Sequence, residues 1–177
     1  MNIKPDSELH VGTAHASAMT GLSKARLNHM IAVGTYSESP LTRQAVERKF
    51  RLQDLVVLSV FADALRAGMS HTAANSCAQG ARGVLRTDPS VDTLVIGEMR
   101  TDEDDMSATM VYGTPEKFDM FKLTYRGRPL AAVRTIPLAT MAARLKAEMQ
   151  QIAATRPPQA FGSGPRPKRR PRLQAAS

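Results

Sequence analysis

The chain has no tryptophan, a single cysteine and only 5% aromatic residues among its 177 positions. One thiol, Cys77, excludes an internal disulfide framework and fits a reducing cytoplasm. Thiolate metal chemistry also lacks its ligands, because His10, His15, His29 and His71 are scattered without ligand spacing. No metal or other cofactor is expected. No segment approaches the roughly 20 apolar residues that a membrane helix needs, and Met1 to His10 contains no hydrophobic signal core. The signatures of catalysis are missing as well. There is no nucleophile elbow, no phosphate-binding glycine loop, no Cys/His pair in a recognisable setting and no carboxylate pair flanked by apolar residues. A non-enzyme is expected.

What is present is positive charge and methionine. Ten methionines point to adaptable cores of aliphatic and thioether side chains. The formal net charge is +8, and six of those charges fall between Arg156 and Ser177, a stretch with no acid. The prolines and glycines of this stretch oppose regular structure, so 154–177 reads as a disordered basic tail. Its Lys168, Arg169, Arg170 and Arg172 suit phosphate contacts that add salt-sensitive affinity with little specificity. A solubilising tail is the plainer reading of the same residues.

Residues 13–86 carry the organising stretch. Ala14, Ala16, Ala18 and Met19 suit one short helix, Gly21 permits a tight turn, and Ser23 is placed to cap a second helix with Leu27, Met30 and Ile31 on one face. Two short helices joined in this way read as a helix-turn-helix, whose second helix lies in the DNA major groove. The residues that meet base edges are then Ser23, Lys24, Arg26, Asn28 and His29. Between 35 and 50, turn formers precede a basic segment that suits a hairpin, and Arg43, Arg48, Lys49 and Arg51 are candidates for phosphate contact. A helix follows with Leu55, Leu58, Phe61, Ala62 and Leu65 on one face, closing at Gly68, and another begins near Ser70.

The order of these parts resembles the winged helix-turn-helix domain of the MerR family of transcription regulators. The matching pieces are Thr20-Gly21-Leu22-Ser23 with Leu27, Phe50 with Asp54-Leu55, and Leu65 with Gly68-Met69-Ser70. The resemblance spans 13–86 only. It departs at His29 and Met30, where the family has an aromatic pair, and at Arg51, where it has a capping serine. The resemblance implies a homodimer on a pseudo-palindromic site in double-stranded DNA, and a protein associated with the nucleoid. The long dimerisation helix of that family has no counterpart after Leu85.

Beyond the turn-rich junction Thr87-Asp88-Pro89-Ser90 the character changes. Strands are expected at Thr93 to Ile96, Met110 to Tyr112, Phe118 to Tyr125 and Leu130 to Ile136, followed by an amphipathic helix from Leu138 to about Ile152. That helix either covers one sheet face or pairs with a copy of itself. The acidic segment Glu98 to Asp105 reads as a solvated hairpin loop, since it lacks the alternating pattern of a calcium loop.

The expected fold is α+β: a flexible leader over 1–12, a winged helix-turn-helix over 13–86, a small antiparallel sheet with a helix over 91–153, and the tail. The leading functional expectation is a sequence-specific transcriptional regulator. Two alternatives stand beside it, a phage-type architectural, packaging or excision protein and a protein-interaction adaptor that never meets DNA.

Overall fold

The segment Leu52-Gln53-Asp54-Leu55-Val56-Val57-Leu58 continues apolar to Leu65, so a helix built from it needs partners on nearly every side. The computed structural model, which describes residues 9–41, 47–100 and 108–155, places this helix at the centre of the molecule. Helix α3 spans Leu52–Arg66, and Leu55 through Ala62 are all buried. It begins where the Asp54 carboxylate accepts the Arg51 N–H at 2.9 Å, an acid serving the positive end of the helix.

Ahead of it lie α1 (Thr13–Met19) and α2 (Lys24–Ala32). Between them Gly21 adopts φ +70, a left-handed conformation that costs a side-chain-bearing residue about 1 kcal/mol or more. The turn is closed by Leu22 N–H donating to the Ser17 carbonyl at 2.9 Å and Gly21 N–H to that of Ala18 at 3.1 Å. Ser23 caps α2 by accepting from the Arg26 N–H at 3.2 Å. Ser70 does the same for α4 (His71–Thr87), accepting from Ala73 N–H at 3.2 Å.

The second half is built around the central strand β1 (Thr93–Arg100). Strands β2 (Ala108–Gly113) and β6 (Ala132–Pro137) flank it, giving the antiparallel order β2-β1-β6. Short strands β3 (Phe118–Asp119), β4 (Thr124–Tyr125) and β5 (Arg128–Pro129) make a second antiparallel sheet. The molecule is therefore a mixed helix and sheet fold of the α+β type. One face of β1, bearing Leu94 and Ile96, joins the main core with α3, α4 and the last helix, α5 (Leu138–Thr155). The other face, with Val95 and Met99, packs on Phe118 and Leu130 of the second sheet region. The main core runs unbroken from Val11 to Met149, across the junction at 87–90.

Helix α4 lies directly against β2. A Cβ on Gly80 would fall inside the van der Waals envelope of the Tyr112 ring, so the close approach depends on glycine. Gly80→Ala, normally favourable in a helix by roughly 0.5 to 1 kcal/mol, is expected instead to destabilise by about 1 to 3 kcal/mol through overpacking. Tyr112→Leu should recover much of that loss in the double variant, measured by urea unfolding. A stabilising Gly80→Ala would mean that α4 does not sit on β2 as described.

Four expectations change. The acidic loop expected from Glu98 begins later, because β1 continues through Arg100 and pairs Glu98 on both sides. The strand expected over Phe118 to Tyr125 is broken, because the Asp119 carboxylate accepts from the N–H groups of Phe121 (3.1 Å) and Lys122 (2.9 Å). This local bonding competes with the strand ladder. Phe121, inside that expected strand, is 97% exposed at the tip. The expected strand Leu130 to Ile136 starts instead at Ala132; Arg128–Pro129 pairs separately, across a turn in which Arg126 (φ 51) and Gly127 (φ 77) give the type I′ geometry. Helix α5 packs chiefly along α3 and only lightly on β1, because α3 has a second apolar side to cover.

The basic hairpin expected over 35–50 is described only at its flanks. Neither flank pairs with the other: Phe50 bridges to Val11 and Ser37 bonds to α4. Arg43, the acidic residues Asp102 to Asp105, and the tail with Lys168, Arg169, Arg170 and Arg172 lie outside the described residues.

Candidate functional site

Helix α2 is fixed from one side and open on the other. Leu27 and Met30 are buried in the core, and successive residues turn by about 100°. Lys24, Ala25, Arg26, Asn28, His29 and Ala32 therefore fall on the outward arc, and all six are exposed. The two alanines lie near the middle of that arc and let another surface approach closely. Asn28 and His29 stand beside them, with Lys24 and Arg26 towards the edges. None of the four polar side chains makes an ion pair among the described residues. The Ser23 oxygen is occupied by the cap, leaving its hydroxyl hydrogen as a donor.

The other candidates are more scattered. Lys49 and Arg51 are exposed and Arg48 is half-buried, all next to Phe50, whose backbone exchanges hydrogen bonds with Val11 at 2.9 and 3.0 Å. That bridge ties the basic segment to the residues leading into α1. Among the described residues no group of three or more His, Cys, Asp or Glu is placed to hold a metal ion. Burial raises the Cys77 thiol above its ordinary pKa, with the Arg134 cation acting the other way. Among the described residues no helix is long and apolar enough to cross a membrane.

An ion-pair network that sequence reasoning missed holds the segment after α2. Arg82, on α4, is buried; its Nη2 donates to Asp54 Oδ1 at 2.7 Å and its Nε to Glu38 Oε2 at 3.3 Å. Its Nη2 also donates to the Glu38 carbonyl at 3.3 Å. One guanidinium thus links α4, the capped start of α3, and the chain leaving α2. A signal for it exists in the sequence: Arg82 follows Ala78 by four and precedes Leu85 by three, so it shares their apolar face.

Tyr36 lies beside this network, its ring centroid 4.9 Å from that of Phe61. Its hydroxyl is buried without a hydrogen-bond partner among the described residues, and burial pushes its pKa far above the ordinary tyrosine value. An unsatisfied buried hydroxyl costs about 1 to 3 kcal/mol. Tyr36→Phe is therefore expected to raise the unfolding free energy by about 1 kcal/mol. A loss of that size would show that the hydroxyl has a partner.

Comparison with protein-family models and with curated proteins returned no match for the chain.

Proposed function

We propose that the chain is a sequence-specific DNA-binding regulator in which α1, the Gly21 turn and α2 act as a helix-turn-helix. Helix α2 enters the major groove, and the basic residues around Phe50 belong to a wing that contacts phosphates. The observation that carries this reading is the outward arc of α2. It combines small residues at its centre, an amide and an imidazole for base edges, and two cations at its margins that have no ion-pair partner among the described residues. The resemblance of 13–86 to the MerR family adds the expectation of a homodimer on a pseudo-palindromic site. Phosphate contacts from Arg43 and from the tail residues Lys168, Arg169, Arg170 and Arg172 belong to the same proposal, as does a nucleoid-associated location.

The test is a fluorescence-anisotropy titration of the full chain against a labelled random duplex across a range of salt. The logarithm of affinity should fall linearly with the logarithm of salt concentration. Lys24→Gln should reduce the slope by about 0.9, the value for one lost phosphate contact. A slope unchanged by that substitution would remove Lys24 from the interface.

One observation favours a second reading, a protein-interaction adaptor. The hairpin tip exposes Met120, Phe121 and Leu123 together, an apolar group of the kind that marks contact surfaces. Failure to bind any duplex at low salt in the same titration would support it over the regulator.

A further inference from the structure

A cavity of about 990 Å³ opens between the carboxyl-terminal end of α1, the end of α3, strand β6 and the start of α5. That is the upper end of the range for small-molecule sites, roughly 300 to 1,000 Å³. Its apolar wall is rich in sulfur: Met19, Met69, Met110, Met141 and Cys77 all line it. Thioether side chains adapt to the shape of an apolar guest.

The charged groups on the wall fall into two sets. Arg66 is closed by Asp63 at 2.6 Å, and Arg144 by Glu148 at 2.9 Å. Arg134 and Glu98 form no ion pair among the described residues. Cross-strand pairing sets Arg134 opposite Ile96 and Glu98 opposite Ala132, so the two project from the same sheet face at diagonal positions. The Arg134 Nη1 rests 4.0 Å from the Met69 sulfur, over the apolar wall. One open cation and one open anion thus flank a soft apolar chamber.

We propose that this cavity binds a small zwitterion with an apolar body, the chemical class of a free hydrophobic α-amino acid. The Arg134 guanidinium takes the carboxylate through its paired donors, Glu98 takes the ammonium, and the methionines enclose the side chain. A simple anion would be opposed by Glu98 and a simple cation by Arg134. The site also adjoins the turn ahead of α2. Thr20 and Gly21 line it, while Arg144 Nη1 donates to the Met19 carbonyl at 3.4 Å and Arg66 Nη2 to that of Thr20 at 3.5 Å. An occupant therefore touches the groups that tether this turn. The consequence for DNA rests on the proposed function, but the binding itself does not.

The experiment is calorimetric titration of the full chain, without DNA, using L-phenylalanine, L-leucine and L-methionine. The single-charge analogues 3-phenylpropionate and 2-phenylethylamine are run beside L-phenylalanine. At least one amino acid should bind one per chain. Removing either ligand charge, or substituting Arg134→Gln or Glu98→Gln, should weaken binding about tenfold or more. Both side chains are at least partly exposed, so melting followed by circular dichroism should stay unchanged in those variants. Ala132→Trp, at an exposed wall position, should block the site outright. The proposal is overturned if none of the three amino acids binds at millimolar concentration. It is equally overturned if 3-phenylpropionate matches L-phenylalanine and Glu98→Gln tightens it. With no DNA in the cell, either failure leaves the regulator reading standing.

Discussion

Arg82→Ala should lower the unfolding free energy by about 3 to 5 kcal/mol, the cost of removing one partner from a buried ion pair. Its side chain is 11% exposed, and those of Asp54 and Glu38 are 16% and 18% exposed. Deleting the guanidinium leaves two poorly hydrated carboxylates without the cation that paired them. Asp54 still accepts from the Arg51 N–H at the start of α3, so the damage reaches the central helix. Lysine at 82 should recover only part of the loss, because a point-like ammonium cannot span both carboxylates and the Glu38 carbonyl. Neutralising the acids as well, in Arg82→Leu/Glu38→Gln/Asp54→Asn, should recover much more, since the penalty lies in unpaired charge. Urea unfolding reads all of this as a fall in midpoint at constant slope. A loss under about 1 kcal/mol in Arg82→Ala would mean the network is solvated and holds nothing together.

The second large effect follows from the DNA recognition proposed for α2. Asn28 stands on the outward arc of α2 beside Ala25 and Ala32, where a groove floor can approach. An asparagine there suits the paired donor and acceptor of adenine in the major groove, a contact worth about 1 to 3 kcal/mol. Asn28→Ala should therefore lose discrimination at one base pair in each half-site, with little effect on nonspecific affinity. Arg26, nearer the edge of the arc, is placed for either a guanine or a phosphate. Arg26→Ala separates these by whether the loss depends on sequence. Both side chains are exposed, so folding should be unaffected, and equal binding of parent and variants to every duplex would remove them from the interface.

Much of the helical half was legible because its ends are marked by local chemistry. Ser23 and Ser70 cap α2 and α4 as their spacing suggests, and Gly21 makes the turn. These devices act within four residues, which is the range sequence reading handles well. The sheet was legible where strand-forming residues run together, at Leu94-Val95-Ile96 in β1 and Met110-Val111-Tyr112 in β2. It failed at Phe118 to Tyr125, where one aspartate side chain bonds two backbone N–H groups and turns the chain. No apolar pattern records that bond.

What stayed out of reach depends on contacts between distant segments. Helix α5 offered an apolar stripe, yet nothing in that stripe says whether it meets the sheet or α3. The partners of Arg82 lie 28 and 44 positions away. The cavity wall is gathered from α1, α3, α4, the sheet and α5, each contributing a few residues. Of the candidate site, the polar residues of α2 were recognisable from spacing, whereas the way Lys24 and Arg26 flank two alanines required the helix and its buried side.

The most direct test of the central claim is selection of bound sequences from a random duplex pool at near-physiological salt, run in parallel with the full chain and its Asn28→Ala variant. The parent should return a short inverted-repeat motif, and the variant the same motif with preference lost at one base pair per half-site. No motif from the parent, or an identical motif from both, would contradict the assignment of α2 as the reading helix.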